Sequence, residues 1–240
     1  MTKKLKEILF EYKGFLVLIL LMLIVRSSVM DWNPVPSTSM MPTIIEGDRV
    51  LIDKLAYDLR FPFFKWSLVH FKDPLRADIV VINSSQAKKR LIKRIIAIPG
   101  DEIWIKDNRV VINQSVLSAQ LIRTDYDKLA GFEELLETNI TQNGKNRSYV
   151  VRLYVNQEDI SPLKNMKPLR VPEGFYFVMG DNRHLSDDSR LNLKLVPRNE
   201  IIGKAKSVVF SADYENYHLP RSDRWFVPLY LNNQDAVRKK

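Results

Sequence analysis

The sequence predicts a mainly β protein preceded by one N-terminal helix. Three observations carry this. Short β-branched or aromatic runs, each bounded by turn residues, recur from residue 49 to residue 210. Asp107-Asn108 lies between two apolar runs, a hairpin signal. Runs at this spacing suggest a sandwich or open barrel rather than a βαβ fold.

The helix comes first. GFLVLILLMLIV, Gly14 to Val25, is unbroken by charge, follows Lys3, Lys4, Lys6 and Lys13, and ends at Arg26. Its length suits the apolar core of a secretory signal peptide, since a spanning helix needs roughly 20 apolar residues. The flank argues otherwise, because RSSVMDW offers no small-x-small cleavage site. Arg26 can snorkel, and Phe10, Tyr12 and 27–30 can lengthen the span. An uncleaved transmembrane anchor over 1–30 is the expectation. The lysines would keep the N-terminus in the cytoplasm, with the rest of the chain across the membrane.

Past the anchor, strands are expected at 49–57, 77–82, 90–98, 102–105, 109–112, 148–155, 174–180 and 201–210. The stretch 119–147 is polar and poorly periodic, and KLAGFEELLET within it reads as a short helix. Residues 233–240 read as a flexible tail.

Composition narrows the chemistry. The 240 residues hold no cysteine, which excludes thiolate metal sites, disulfides and a cysteine nucleophile. The three histidines are His70, His184 and His218, far apart, and no metal-binding pair is visible. The net charge is +9, of which residues 1–26 supply +3 from five Lys/Arg and two Glu. The remaining +6 favours anionic membrane phospholipid over nucleic acid as a partner, although plain solubility explains it equally well.

VPSTSMMPTI, 35–44, holds two serines two apart between prolines. It reads as a linker or as a nucleophile awaiting a base. KRLIKRIIAIPGD, 89–101, supplies a candidate base. As a strand it puts Leu91, Lys93, Ile95 and Ala97 on one face and Ile92, Arg94, Ile96 and Ile98 on the other. Desolvation among apolar neighbours lowers a lysine's pKa and makes it a general base. A snorkelling lysine is the alternative. GFYFVMGDNRHLSDDSR, 174–190, is a strand, a turn, and a loop dense in Ser and Asp.

Taken in order, these stretches resemble the bacterial type I signal peptidases, also called leader peptidases. The resemblance covers the basic start and anchor, PSTSMMPT, GDRVLIDKLAY, RADIVVI, IKRIIAIPGDEI, GDNRHLSDDSR and IIGKA. It implies a membrane-anchored β fold with an inserted smaller β-rich domain. The catalytic domain would span 31–105 and 171–232, and the insertion 106–170. It implies a serine endopeptidase that removes signal peptides from exported preproteins after small residues (Ala-x-Ala), and it favours the uncleaved anchor.

By residue, the resemblance makes Ser39 the nucleophile and Lys93 the general base. The Ser39 N–H and the Ser37 hydroxyl form the oxyanion hole. Ser186 orients the lysine. Asp181 with Arg94, and Asp188 with Arg190, are structural ion pairs, and Met40 lines the substrate pocket. No metal or cofactor is implied. The partners are preprotein signal peptides, membrane phospholipid and the secretion translocon. The location is the bacterial inner membrane, single-pass, with the catalytic domain on the outer side.

The chain departs from the family in LNLKLVP, 191–197, which is a residue longer and lacks glycine. His184 stands where Asp or another polar residue is common, and Ala77 where Gly is common. Other readings are a same-fold peptidase maturing pilin or conjugation proteins, a catalytically inactive peptide-binding homologue, and a Ser-His-Asp hydrolase using His184. In RFPFFKWSLVHF, 60–71, Pro62 and Phe63-Phe64 break strand alternation. Phe63, Phe64 and Trp66 are expected to meet the membrane interface.

Overall fold

The computed structural model describes residues 10–64, 66–125, 131–141, 144–154 and 164–230. A helix, Lys13–Ser28, leads into β1 (Met30–Pro34), β2 (Asp48–Asp53), β3 (Asp58–Arg60), β4 (Ser67–His70), β5 (Ile79–Ser84) and β6 (Lys89–Ala97). Next come β7 (Glu102–Lys106), β8 (Arg109–Ile112), β9 (Ser115–Val116), β10 (Ser118–Asp125), β11 (Phe132–Ile140), β12 (Asn146–Tyr154) and β13 (Met166–Arg170). The chain closes with β14 (Phe175–Met179), β15 (Val196–Pro197), β16 (Ile201–Asp213), β17 (Leu219–Pro220) and β18 (Val227–Pro228).

The main sheet runs β1-β2-β16-β5-β6-β14-β15, with β17 and β18 on β16. Every pairing in it is antiparallel. The mainly β expectation is met. At the β7–β8 hairpin, Asp107 (φ 48) and Asn108 (φ 62) both take the left-handed region. A two-residue primed turn needs this, and Asn and Asp tolerate it.

The segment 128–138 is not a helix where it is described. Phe132–Ile140 is the central strand of the β10-β11-β12 sheet. Its inward positions include Glu134 and Glu137, which pair with Arg152 and Arg183. Helix-favouring Glu and Leu are overridden by strand pairing on both edges and by buried charge partners. One core cluster joins this sheet to the main sheet, through Tyr149 and Val151 against Ile96, Ala97, Phe177 and Met179.

Among the described residues no helix is long and apolar enough to cross a membrane. Lys13–Ser28 has 16 residues, about 24 Å at 1.5 Å per residue against a hydrocarbon core of about 30 Å. The expected spanning helix is therefore not met there, and residues 1–9 and the predicted tail lie outside the described residues. The helix is nonetheless exposed along its apolar length from Phe15 to Leu23. Lys54 Nζ donates to the carbonyls of Arg26 (2.8 Å) and Ser27 (3.1 Å) at its last turn, satisfying oxygens the helix leaves open.

Candidate active site

Strand β6 places the base candidate. Its alternation holds from Leu91 to Ile95, then shifts where β14 pairs Phe177 with Ala97 but Val178 with Ile95. The extra residue, Ile96, is a bulge, and it turns Ala97 to the face of Ile96 and Ile98 to the face of Leu91 and Ile95. The face assignment predicted from sequence fails only beyond this bulge. Lys93 lies before it, on the side of Leu91 and Ile95, and is 3% exposed.

Lys93 Nζ lies 2.7 Å from Ser39 Oγ, a hydrogen bond between residues 54 positions apart. Burial pushes the Lys93 pKa down to about 8, against the pull of Asp188, Asp187 and Asp181, which favour the charged form. No carboxylate forms an ion pair with it among the described residues. Desolvation wins because the acidic groups act only at a distance.

Ser39 opens a run of turns after β1, with Met41 N–H donating to Thr38 O and Ile44 N–H to Met40 O. It is not in an extended segment, so simple i, i+2 alternation does not relate it to Ser37. Both serines nevertheless line one cleft of about 440 Å³, with Val35, Met40, Leu91, Ile92 and Lys93. Met40 itself is 1% exposed and belongs to the core beneath the turn.

The loop after β14 packs behind this pair. Arg94 donates to Asp181 through Nε (2.7 Å) and Nη2 (2.6 Å), and both side chains are 1% exposed. Arg190 donates to Asp188 through Nε (2.9 Å) and Nη2 (2.8 Å). Burial alone would raise the Asp188 pKa, but the Arg190 charge and the Gly180 N–H outweigh it and hold the carboxyl below its usual range. Ser186 is buried beside them, where its hydroxyl also helps to hold the Asp188 carboxyl down, and no hydrogen bond joins it to Lys93 among the described residues.

Three residues given no role from sequence join the loop to the serine turn. Asn182 N–H donates to Ser39 O at 3.1 Å, and Asn182 Nδ2 donates to Thr38 O at 3.2 Å. Thr43 Oγ1 donates to Asp181 Oδ2 at 2.6 Å. A Cβ on Gly180 would collide with Ser186 Oγ and Ser39 O, so only glycine lets the two segments close. A glycine ending a strand run was the available signal for the last.

His184 is placed elsewhere. Its Nδ1 accepts the Tyr154 N–H at 3.0 Å, and the two rings meet edge to face. Phe63, Phe64 and Trp66 lie in the β3–β4 connection and are 65%, 56% and 72% exposed. The Phe64 ring contacts Phe61 and stacks on Trp66. The Phe63 N–H donates to Ser27 Oγ at 2.7 Å, which ties this connection to the end of the helix.

The family model and the curated relatives point to one family. The family described as signal peptidase, peptidase S26 matches residues 9–210. A signal peptidase I of Pseudomonas aeruginosa is 31% identical over 232 residues, covering 91% of this chain and 79% of its own. One from Rickettsia typhi is 34% identical over 224 residues, covering 88% and 83%. A crystal structure of a signal peptidase I from Enterococcus faecalis matches with 29% identity and a TM-score of 0.34, covering 56% of this chain and 97% of that one.

Proposed function

Because the chain belongs to the signal peptidase, peptidase S26 family, we propose that it removes signal peptides through a Ser39–Lys93 dyad. The observation that carries this is the 2.7 Å hydrogen bond between a serine lining an open cleft and a buried lysine with its pKa at about 8.

With Lys93 neutral, its amine takes the Ser39 proton as Oγ attacks the scissile carbonyl. The Ser39 N–H and the Ser37 hydroxyl stabilise the oxyanion. The Lys93 ammonium then gives its proton to the leaving amine, and an acyl-enzyme remains. Lys93 next takes a proton from water, which attacks the ester, and returns that proton to Ser39 Oγ. Ser186 orients the amine once the substrate excludes water. The Asp181–Arg94 and Asp188–Arg190 pairs hold the loop that backs the dyad. Met40 forms the floor that admits only small residues.

The peptide joins the sheet as an added strand. β5 pairs with β6 from Lys89 to Arg94 on one edge, but β14 reaches only to Arg94 on the other. Lys89 to Lys93 therefore offer free backbone groups along the cleft wall.

The enzyme works at a membrane. A helix apolar all round is unstable in water, and its exposed face continues into the aromatic β3–β4 connection through the Phe63–Ser27 bond. The reading is a chain held in the inner membrane by its N-terminal segment, with Phe63, Phe64 and Trp66 in the headgroup layer and the lysine-rich start in the cytoplasm.

The direct test is to incubate the purified chain with a preprotein bearing an Ala-x-Ala site and to map the cut by mass spectrometry. Cleavage after the second alanine by the wild type but not by Ser39→Ala supports the proposal. An intact preprotein, or a cut that survives in Ser39→Ala, rejects it.

A further inference from the structure

The cleft continues past the dyad along β6, where Arg90 stands about 10 Å from Lys93, three residues at about 3.3 Å each, and Asn33 and Lys89 line it there as well. Its middle is apolar, but this end is built from donors. Arg90 Nη1 donates to Asn33 Oδ1 at 2.9 Å. That bond fixes the amide, leaving Nδ2 to point elsewhere, and Asn33 Nδ2 is buried with no hydrogen-bond partner among the described residues. A buried donor without an acceptor is unfavourable until something supplies one.

Charge points the same way. Arg90 sits 3.6 Å from Asp31 Oδ2 and is 43% exposed. Asp31 is shared, however, taking Arg26 at 3.1 Å and Lys54 at 3.5 Å as well. Lys89 lines the cleft beside Arg90, and Lys88 is exposed next to it. The cleft end thus holds unspent N–H groups and net positive charge.

We propose that Arg90 and Asn33 form a specificity subsite for an acidic side chain of the substrate, four residues before the cleaved bond or three to four after it, since the third residue before the bond is the small one of Ala-x-Ala. This rests on reading the cleft as the peptide groove of a signal peptidase. An extended peptide advances about 3.3 Å per residue, so its third or fourth residue from Ser39 reaches Arg90. The carboxylate accepts from a free guanidinium N–H of the half-exposed Arg90, a charge-assisted arrangement, and a turn of the Asn33 side chain brings its buried, unpartnered Nδ2 to the same carboxylate. Asp31 holds Arg90 in place from behind.

The experiment measures binding, so it does not depend on turnover. The full-length Ser39→Ala chain in detergent is titrated with Ala-x-Ala peptides in which one Asp is stepped along each side of the bond. With the Ala-x-Ala alanines kept, Asp at one position four residues before the bond, or three or four after it, should tighten Kd about three- to tenfold relative to Ala there. The gain should shrink as salt rises. In Arg90→Gln the Asp and Ala peptides should bind alike, and Arg90→Lys should keep part of the gain. Asn33→Ala should lose part of it. Overturning results are no gain at any position, or a gain undiminished in Arg90→Gln. Cleavage of the same peptides by the wild type is read separately. Peptides that bind but are never cut count against the peptidase reading and leave the subsite standing.

Discussion

Lys93 and Arg94 are neighbours on β6, both almost wholly buried, and of the two only Arg94 has a carboxylate partner among the described residues. The difference divides chemistry from structure. Arg94 keeps its charge through Asp181, with a further bond to Ala77 O and the Tyr149 ring 4.1 Å away. Lys93 has only a hydroxyl, so burial lowers its pKa and frees its lone pair.

Catalysis should therefore follow Lys93 deprotonation. Cleavage measured as kcat/KM should rise with pH through about 8 and level off above it. A profile that is flat between pH 6 and 9, or that turns on near 6.5 as an imidazole would, contradicts a lysine base.

The same burial opposes folding. Lys93 titrates at about 8 in the folded chain against an ordinary value of 10.5, so between these values only the unfolded chain holds the proton. Stability then rises with pH across that window, and below it the fold carries a penalty of about 3 kcal/mol. Lys93→Met should abolish cleavage, by about 10⁴-fold or more, yet raise stability at pH 7 by about 2–3 kcal/mol. Urea denaturation at pH 7 and pH 10 checks both parts, since the gain should fade at the higher pH.

Much of this site was legible in the sequence because its members are local in motif. Ser37 and Ser39, Lys93 and Arg94, and the Asp181–Arg190 loop each lie within a short motif that the family resemblance picks out, and the alternation around Lys93 sets it among apolar neighbours without deciding between burial and snorkelling. What was not legible depends on long-range pairing. The bulge at Ile96 exists only because β14 shifts register against β6. Strand β11 looked helical because its buried glutamates find arginines 18 and 46 positions away. The tie between Asn182 and Ser39 joins segments that no local pattern relates.

The buried pairs should matter for stability more than for chemistry. Asp181→Ala leaves Arg94 buried and uncompensated and should cost about 3–5 kcal/mol. It also removes the acceptor of Thr43 and loosens the turn that carries Ser39. Thermal denaturation should show the loss. The activity remaining below the new melting point should still rise with pH, at a midpoint shifted below 8, because Lys93 still faces Ser39 but has lost the Asp181 charge that favours its protonated form.

Arg183 makes a second strap. It donates to Glu137 Oε1 at 2.6 Å and its other nitrogen reaches Oε2, while Arg190 Nη2 donates to Arg183 O at 2.6 Å. The β10-β11-β12 sheet is thus bolted to the loop behind the dyad. Glu137→Ala should cost about 3 kcal/mol or more by orphaning Arg183. It should lower kcat more than it raises KM, because the loop backs Lys93 while the cleft is built by other segments. An unchanged kcat would limit Glu137 to holding its own sheet together.

The aromatic connection between β3 and β4 yields the last expectation. Phe63, Phe64 and Trp66 are exposed, stack on one another in part, and hang from the helix end by the Phe63–Ser27 bond. Rings with no core to fill are removed at little cost to the fold, so replacing all three by Ser should change the melting temperature by only a few degrees. In vesicles, brominated lipids should quench Trp66 fluorescence, seen as the difference between wild type and Trp66→Phe, if the ring enters the headgroup layer. The triple variant should then cleave a vesicle-bound preprotein more slowly while cutting a short soluble peptide at the wild-type rate. Equal rates on both substrates, or no quenching, would place the loop in water and remove it from the membrane face. Global unfolding of the triple variant would instead make the rings part of the protein's core.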